Sequence, residues 1–548
     1  MIPLRFSPTD FEVTPFEVKS LSLLAIVFFV FIGGGVAAKE TVLVAMRDGV
    51  KLATDVHKPE GTNPLPVILV RTPYNKNAGD TIGAEAIRRG FVFVAQDCRG
   101  RFGSEGENMP FHLDGPDGFD TLEWIAKQPW CNGKIGTWGG SAAAITQYQM
   151  IISGTDKLSA QHLMVGAPNL YNVIYVGGVF RKSMIEDWLR GAQWSSNALP
   201  RWVAHPLYDN YWRERDASRD YKKANAAAIH IGGYWDIFAQ ATIDAFVGYQ
   251  EKGGPKARGK QRLVMGPWAH SGGDKAGELT FPNGKKPPGD ALDPWKWFNL
   301  TLKSNTFSAE LAVTYYVIGD VDDAKAPGNR WRIADQWPPV AAIATEYYLH
   351  PDRSLTTSKA GAAEPLGYTY DPENPAPTVG GIQLSLPSGP RDQKIVEERP
   401  DVLVFTAPAL SDPIEVTGPV RARVWISADA PDTDFIARLC DVYPDGRSFN
   451  LCEGAIRARF REGSDKEVLL EAGKVYPIEI DLWSTSVIFN TGHRIRLQIT
   501  SSSAPGYDPN PNTGAPFRTT PEKRKTNIKL YVDSQRPSHV VLPVATEP

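Results

Sequence analysis

Lys134-Ile135-Gly136-Thr137-Trp138-Gly139-Gly140-Ser141-Ala142-Ala143-Ala144-Ile145 is the stretch on which the reading of the fold turns. Residues 134–138 read as a short strand, the glycine pair as a sharp turn, and the residues after Ser141 as a helix that continues through Tyr148 and Gln149. A serine set between small residues on a tight strand-to-helix turn presents its hydroxyl at the end of a sheet, ready to attack a carbonyl carbon. The usual pattern has glycine two places after the serine, where this chain has Ala143. On these residues alone, a serine that simply caps a helix after a glycine turn explains the stretch equally well.

Working outward, residues 66–70 and 91–95 are continuous apolar runs with a helical pattern near 82–89 between them. Apolar strands alternating with helices point to a parallel sheet buried on both faces. Two β-type segments, 41–45 and 51–57, precede this unit around the turn Arg47-Asp48-Gly49, and a helix near 118–128 leads into the strand before Ser141. Residues 228–231 and 262–265 read as later strands, ending in Gly232-Gly233 and Gly266-Pro267. Between them and the first unit, residues 168–225 are rich in Tyr, Trp, Arg and Asp without strand rhythm and read as a helical insertion. From about Pro365 the texture changes to period two: 420–426, 478–482 and 495–499 each place apolar side chains on one face only, as half-buried antiparallel strands do. A β-sandwich of jelly-roll type is expected there. The expected organisation is a leader at 1–38, an α/β domain at 39–165 and 226–355, its helical cap at 166–225, and the β-sandwich at 356–548.

The leader reading rests on an apolar run at residues 21–32, broken only by Ser22, followed by three glycines and Val36-Ala37-Ala38. That run is shorter than the roughly 20 residues of a membrane span and resembles the h-region and cleavage site of an export signal. Residues 1–20 carry Asp10, Glu12 and Glu17 against Arg5 and Lys19, which suits translation from Val18. Export would make the protein secreted or periplasmic, and without a working leader it would be cytoplasmic. An uncleaved anchor and an apolar N-terminal strand are the alternatives.

A chain of 548 residues is too long for one core, and 42% hydrophobic residues suffice for several. Fifty-nine Lys and Arg against 62 Asp and Glu give a net charge of −3 with no block of like charge, which argues against a nucleic-acid partner. The four cysteines include no C-x-x-C pair, so neither a zinc site nor a redox pair is indicated. Cys440 and Cys452 flank the hairpin turn at Gly446 symmetrically, which leaves a cross-strand disulfide open if the protein is exported. Cys98 and Cys131 are expected to stay unpaired.

Acyl transfer from a serine requires a base to take its proton and an acid to hold that base. Asp236 follows the strand at 228–231 and His270 follows the strand at 262–265, so the order Ser, Asp, His is that of an α/β-hydrolase triad. Of the nine histidines, His230 lies within a strand, where a core role is expected, and His493 and His539 fall in the β-rich region. Only His270 has the required position.

Several stretches together resemble the superfamily of cocaine esterase and X-Pro dipeptidyl-peptidase, which also contains glutaryl-cephalosporin acylases and α-amino acid ester hydrolases. They are Arg71-Thr72-Pro73-Tyr74-Asn75-Lys76, the Asp97-Cys98-Arg99-Gly100-Arg101-Phe102-Gly103-Ser104-Glu105-Gly106 run, residues 130–147, Gly233-Tyr234-Trp235-Asp236 and Gly266-Pro267-Trp268-Ala269-His270. Downstream, residues 412–418 and Pro444-Asp445-Gly446-Arg447 are similar to its jelly roll, and 536–539 match more weakly. The resemblance implies that Ser141 is the nucleophile, His270 the base and then acid, and Asp236 the residue that orients His270. It also implies an oxyanion hole made of the Tyr74 hydroxyl and the backbone N–H of Ala142, and it marks Phe238 as an acyl-pocket residue, for which core packing is the alternative. Members usually read S-Y-x-G from the serine, where this chain has Ser141-Ala142-Ala143-Ala144, a departure that opens space beside the serine.

The reading is therefore a serine hydrolase that cleaves carboxylic ester or amide bonds of small substrates through an acyl-enzyme, with no metal and no cofactor. Ester cleavage is favoured by analogy with the family's small-substrate members. The alternative is an acylase or an X-Pro or aminoacyl peptidase, for which Glu186, Asp187, Asp209 and Asp216 in the insertion could serve a substrate ammonium. A non-catalytic carbohydrate-binding or interaction protein is the reading from a different class. No stable membrane span is expected, and a homo-oligomer is left open.

Overall fold

The computed structural model describes residues 38–61, 63–304 and 312–546. The leader expected at 1–38 therefore lies outside the described residues, Ala38 apart, and no helix among the described residues is long and apolar enough to cross a membrane.

The α/β domain is built on a ten-stranded sheet. Its strands are Ala38–Ala45 (β1), Lys51–Lys58 (β2), Leu65–Thr72 (β3), Val92–Asp97 (β4), Cys131–Gly140 (β5) and Leu158–Met164 (β6). Two hairpin pieces of the cap follow, Tyr175–Val176 (β7) and Val179–Phe180 (β8), then Ala227–Gly233 (β9) and Gln261–Gly266 (β10). A small hairpin, Lys275–Ala276 (β11) and Leu279–Thr280 (β12), precedes Val313–Val317 (β13) and Arg330–Ala334 (β14). The order across the sheet is β1-β2-β4-β3-β5-β6-β9-β10-β13-β14. Every pairing from β4 to β13 is parallel, while β1, β2 and β14 are antiparallel additions at the margins. All six residues of β4 are buried, as the apolar run 91–95 leads one to expect of a strand covered on both faces. From β3 the chain steps to β4 on one side and returns to β5 on the other, so a crevice opens at the carboxyl ends of β3 and β5.

Three helices cover this part of the sheet, Asp80–Arg88 (α1), Asp114–Ala126 (α2) and Ala142–Met150 (α3). Every residue of α3 is buried. The insertion folds as the short helix Tyr171–Ile174 (α4), the β7–β8 hairpin, Lys182–Gly191 (α5), Ala198–Val203 (α6) and Asn210–Arg213 (α7). Its aromatic residues form one apolar cluster with Phe111, Ile145, Ile237 and Phe238 of the α/β domain. The sequence pattern gives no sign of β6, since Ser159, Gln161 and His162 interrupt its apolar character. Gln161 and His162 are nonetheless fully buried, and Gln161 donates to the Gln147 carbonyl.

The C-terminal part is two antiparallel sheets. One runs Leu355–Thr356, Ala342–Leu349, His539–Ala545, Ile414–Ala428, Thr526–Tyr531 and Leu366–Tyr370, with Tyr476–Phe489 also paired to Ile414–Ala428; the other runs Val402–Thr406, Arg494–Thr500, Asp434–Val442 and Ser448–Arg457. Val420, Ala422, Val424 and Ile426 are buried while Arg421 and Arg423 are exposed, which is the alternation read from the sequence. The strand Ala342–Leu349 pairs with His539–Ala545, so the first sheet begins ahead of the expected boundary at 356. The α/β domain and the sandwich share a core: Trp235, Phe281 and Tyr315 cluster with Leu439, Phe449 and Leu482, and the Trp235 indole donates to the Asn450 carbonyl at 3.2 Å.

The hairpin symmetry that left a Cys440–Cys452 disulfide open does not survive in the register. A bulge between Leu439 and Cys440 sets Cys452 opposite Leu439 and Cys440 opposite Asn450. Successive residues of a strand face opposite sides, so Cys452 joins the apolar core with Leu439 while Cys440 points the other way, where Gln498 donates to its sulfur. All four cysteines are free thiols.

Candidate active site

Ser141 stands between the last residue of β5 and the first of α3, at φ 56° and ψ −124°. That backbone conformation costs a non-glycine residue about 1–3 kcal/mol and persists only where the surroundings enforce it. Here they do: the Ser141 N–H donates to the Met164 carbonyl at the end of β6, and Gln147 donates to the carbonyls of Gly139 and Ala143 while accepting from Thr137. Ala143 and Ala144 fit beside the turn because glycines face them. A Cβ at Gly139 would lie 2.6 Å from the Ala143 Cβ, and one at Gly166 would lie 2.5 Å from the Ala144 Cβ.

The three predicted catalytic side chains come together from separate strand ends. His270 Nε2 lies 3.0 Å from Ser141 Oγ, and His270 Nδ1 lies 2.5 Å from Asp236 Oδ2. Asp236 is 0% exposed and its other oxygen accepts the Phe238 N–H at 2.8 Å, so the carboxylate is held in place from both sides. With Nδ1–H committed to Asp236, Nε2 is the nitrogen left to accept the serine proton. β9 and β10 must approach closely for this: a Cβ at Gly233 would lie 2.4 Å from the Trp268 carbonyl oxygen. His230, read as a core histidine, is buried between Tyr148 and Gln261.

Tyr74 follows β3, the neighbour of β5, and so reaches the crevice from the other side of Ser141. The residue is 43% exposed, but its hydroxyl accepts from the Trp188 indole N–H at 2.8 Å and lies within hydrogen-bond reach of Ser141. Burial pushes the phenol above its ordinary pKa, against the pull of hydrogen bonds with Trp188 and Ser141, so at neutral pH it keeps its proton. Ala142 is the first residue of α3, where a backbone N–H has no acceptor within the helix.

Ser141 and Ala142 form part of the wall of a cavity of about 420 Å³, mouth included. Phe111, Trp188 and Trp202 make a stacked aromatic side, with Phe111 and Trp188 at 5.6 Å and 2° and Trp188 and Trp202 at 6.2 Å and 8°. Ile145, Ile174 and Met184 are aliphatic lining, Phe238 lies on the wall and 5.8 Å from the His270 ring, and Leu384 comes from the C-terminal part of the chain. Phe238 both lines the cavity and packs in the apolar cluster, so both sequence readings of it stand, while Trp188, Trp202 and Leu384 belong to no motif and were not anticipated.

The four insertion acids offered for a substrate ammonium are engaged elsewhere, and no charged side chain among the described residues lines the cavity. Glu186 pairs with Arg518, Asp187 with Arg190, Asp209 caps α7 and meets His205, and Asp216 accepts from Tyr208, Asn169 and Ser218.

Residues 48–201 and 189–272 match the X-Pro dipeptidyl-peptidase (S15 family) domain, and 305–541 match the X-Pro dipeptidyl-peptidase C-terminal non-catalytic domain. Cocaine esterase of Rhodococcus sp. (strain MB1 Bresler) is 32% identical across 94% of this chain and 99% of its own. Among solved structures, an aminopeptidase from a marine sediment Thaumarchaeota archaeon superposes with a TM-score of 0.78 at 24% identity, covering 96% of this chain and 99% of its own. An α-amino acid ester hydrolase superposes at 0.76 and 24%, over 95% and 98%. A CocE/NonD family hydrolase from Staphylococcus aureus superposes at 0.72 and 19%, over 92% and 93%.

Proposed function

The chain belongs to the cocaine esterase and X-Pro dipeptidyl-peptidase superfamily of serine hydrolases, and from that premise we propose that it cleaves carboxylic esters with an apolar acyl group through Ser141, His270 and Asp236. One observation carries the reading: a serine in a strained elbow, 3.0 Å from a histidine that is itself fixed to a buried carboxylate, opens onto an apolar cavity. In acylation, Ser141 Oγ attacks the ester carbonyl carbon as its proton passes to His270 Nε2, and the carbonyl π electrons move onto oxygen. Tyr74 Oη–H and the Ala142 N–H are the donors for that oxyanion. The intermediate collapses, the C–O bond to the leaving group breaks, and His270 gives its proton to the departing alkoxide. Water then repeats the sequence: its proton goes to His270, its oxygen adds to the acyl carbon, and collapse returns the proton to Ser141 and releases the acid. Asp236 holds the imidazole in the needed tautomer and stabilises the imidazolium.

The apolar lining favours an aromatic or branched aliphatic acyl group over an aminoacyl group, because a buried ammonium without a carboxylate would be left uncompensated. Comparing p-nitrophenyl benzoate with amino-acid p-nitroanilides tests this. Turnover of the ester and little of the anilides is expected; the reverse preference would overturn the ester reading. The apolar run at 21–32 supports export, and N-terminal sequencing of the mature protein tests it: a start near Lys39 is expected, and an intact Met1 would contradict it.

A further inference from the structure

The Tyr74 hydroxyl does not stand alone at the cavity. Trp188, on α5 of the cap, donates its indole N–H to Tyr74 Oη at 2.8 Å. The indole plane is fixed by near-parallel stacking on Phe111 and on Trp202. A second link joins the same two segments. Arg101, 7% exposed, donates Nε to the Pro73 carbonyl, immediately before Tyr74, and its terminal nitrogens to the carbonyls of Ala192 and Gln193, immediately after α5. It also donates to the Asn108 side chain and lies 4.5 Å over the Trp194 ring. A guanidinium on the carbonyls just beyond a helix C-terminus is favourably placed against the helix dipole.

We infer that Trp188 is a positioning residue of the oxyanion site, and that Arg101 fastens the cap so that this contact is kept. The inference rests on Ser141 as nucleophile and Tyr74 as oxyanion donor. A phenol has one proton to donate, and that proton must point at the substrate oxygen. An indole is a donor only, so Trp188 occupies a lone pair of Tyr74 Oη without being able to accept its proton. The Tyr74 proton is thereby directed away from Trp188 and toward Ser141, where the oxyanion forms. As the oxyanion draws on that proton, negative charge grows on Tyr74 Oη, and the Trp188 N–H stabilises it cooperatively. A rotation of α5 that broke the contact would leave the phenol free to turn to solvent, so acylation is coupled to the seating of the cap.

Trp188→Phe removes the donor and keeps the stacked ring. The expected result on p-nitrophenyl benzoate is a fall in kcat of about tenfold with KM within about twofold, smaller than the roughly hundredfold cost of losing an oxyanion donor outright. The double variant Trp188→Phe with Tyr74→Phe should be no slower than Tyr74→Phe alone, because the indole acts through the phenol. Phenylboronic acid provides a reading that packing alone would not move: Ser141 Oγ bonds to the empty orbital of boron as its O–H proton passes to His270, giving a tetrahedral boronate anion that keeps all three original boron substituents. Its affinity should fall by the same factor as kcat. Arg101→Lys should lower kcat in the same direction. Wild-type kcat in Trp188→Phe, or losses that multiply in the double variant, would overturn the inference alone, provided wild-type Ser141 is labelled by a fluorophosphonate. Absence of that label on folded wild type would remove the premise instead, and the inference with it.

Discussion

At Ser141 the backbone suits the proposed chemistry, because a positive φ at the turn into the helix accompanies a hydroxyl 3.0 Å from His270 Nε2. Two substitutions separate the roles of its partners. Ser141→Ala should abolish ester turnover to within the residual contributed by binding and the oxyanion donors, a loss of about 10⁴-fold or more in kcat. Asp236→Asn should keep the fold and lose about 10⁴-fold, since an amide that donates to His270 Nδ1 forces the wrong tautomer. Steady-state kinetics with p-nitrophenyl benzoate measures both, and a loss of less than tenfold in either would break the assignment. These candidate residues were legible in the sequence because each follows closely on a strand that ends in glycine: Gly140, Gly233 and Gly266 close the strands before Ser141, Asp236 and His270. Tyr74 has no such signature and was reached only through its motif. Trp188 and Leu384 carry no signature at all, since they enter the cavity from the aromatic cap and from a distant loop of the C-terminal part.

The elbow depends on how closely α3, β5 and the segment after β6 can approach. Ala144 occupies the space that the absent side chain of Gly166 leaves, so the two positions are a matched pair. Gly166→Ala should cost about 1–3 kcal/mol, the usual range for forcing a methyl into a packed core, and adding Ala144→Gly should recover most of it. Thermal unfolding of both single variants and the double measures this, and additive losses would contradict the pairing. The elements themselves were visible where pattern and burial coincide, as in β4 and in Ile414–Ala428, whose alternation survives intact. β6 was not visible because its buried Gln161 and His162 break the apolar run. The hairpin at Gly446 was seen, but the bulge that turns Cys440 away from Cys452 leaves no trace in residue order.

At the scale of the whole molecule, the α/β domain and the sandwich are joined by an apolar core, by the Arg332–Glu415 ion pair and by a buried histidine held between two carboxylates. His493 of the sandwich lies with Nδ1 2.9 Å from Asp441 and Nε2 3.2 Å from Asp320, the latter in the loop after β13, with the Tyr443 ring at 4.4 Å. Burial opposes the imidazolium, but the hydrogen bond and charge of Asp441 together with the charge of Asp320 outweigh it, so the pKa is raised above 6.5. A raised folded-state pKa contributes stability that is full below 6.5 and is lost as pH climbs through the native value. The melting temperature of wild type should therefore exceed that of His493→Gln most at pH 6 and least toward pH 9; a constant difference would show that His493 is not charged in the fold. The C-terminal part thus both buttresses the α/β domain and lends Leu384 to the cavity, an arrangement that a domain boundary drawn at 356 from strand rhythm does not convey. All of it serves one chemical claim, that Ser141 carries the acyl group. Intact-mass analysis of the folded protein after incubation with a fluorophosphonate, followed by peptide mapping, tests that claim most directly. One adduct is expected, located on Ser141 and absent from Ser141→Ala; no adduct on folded wild type, or one that persists in Ser141→Ala, would contradict the role of Ser141.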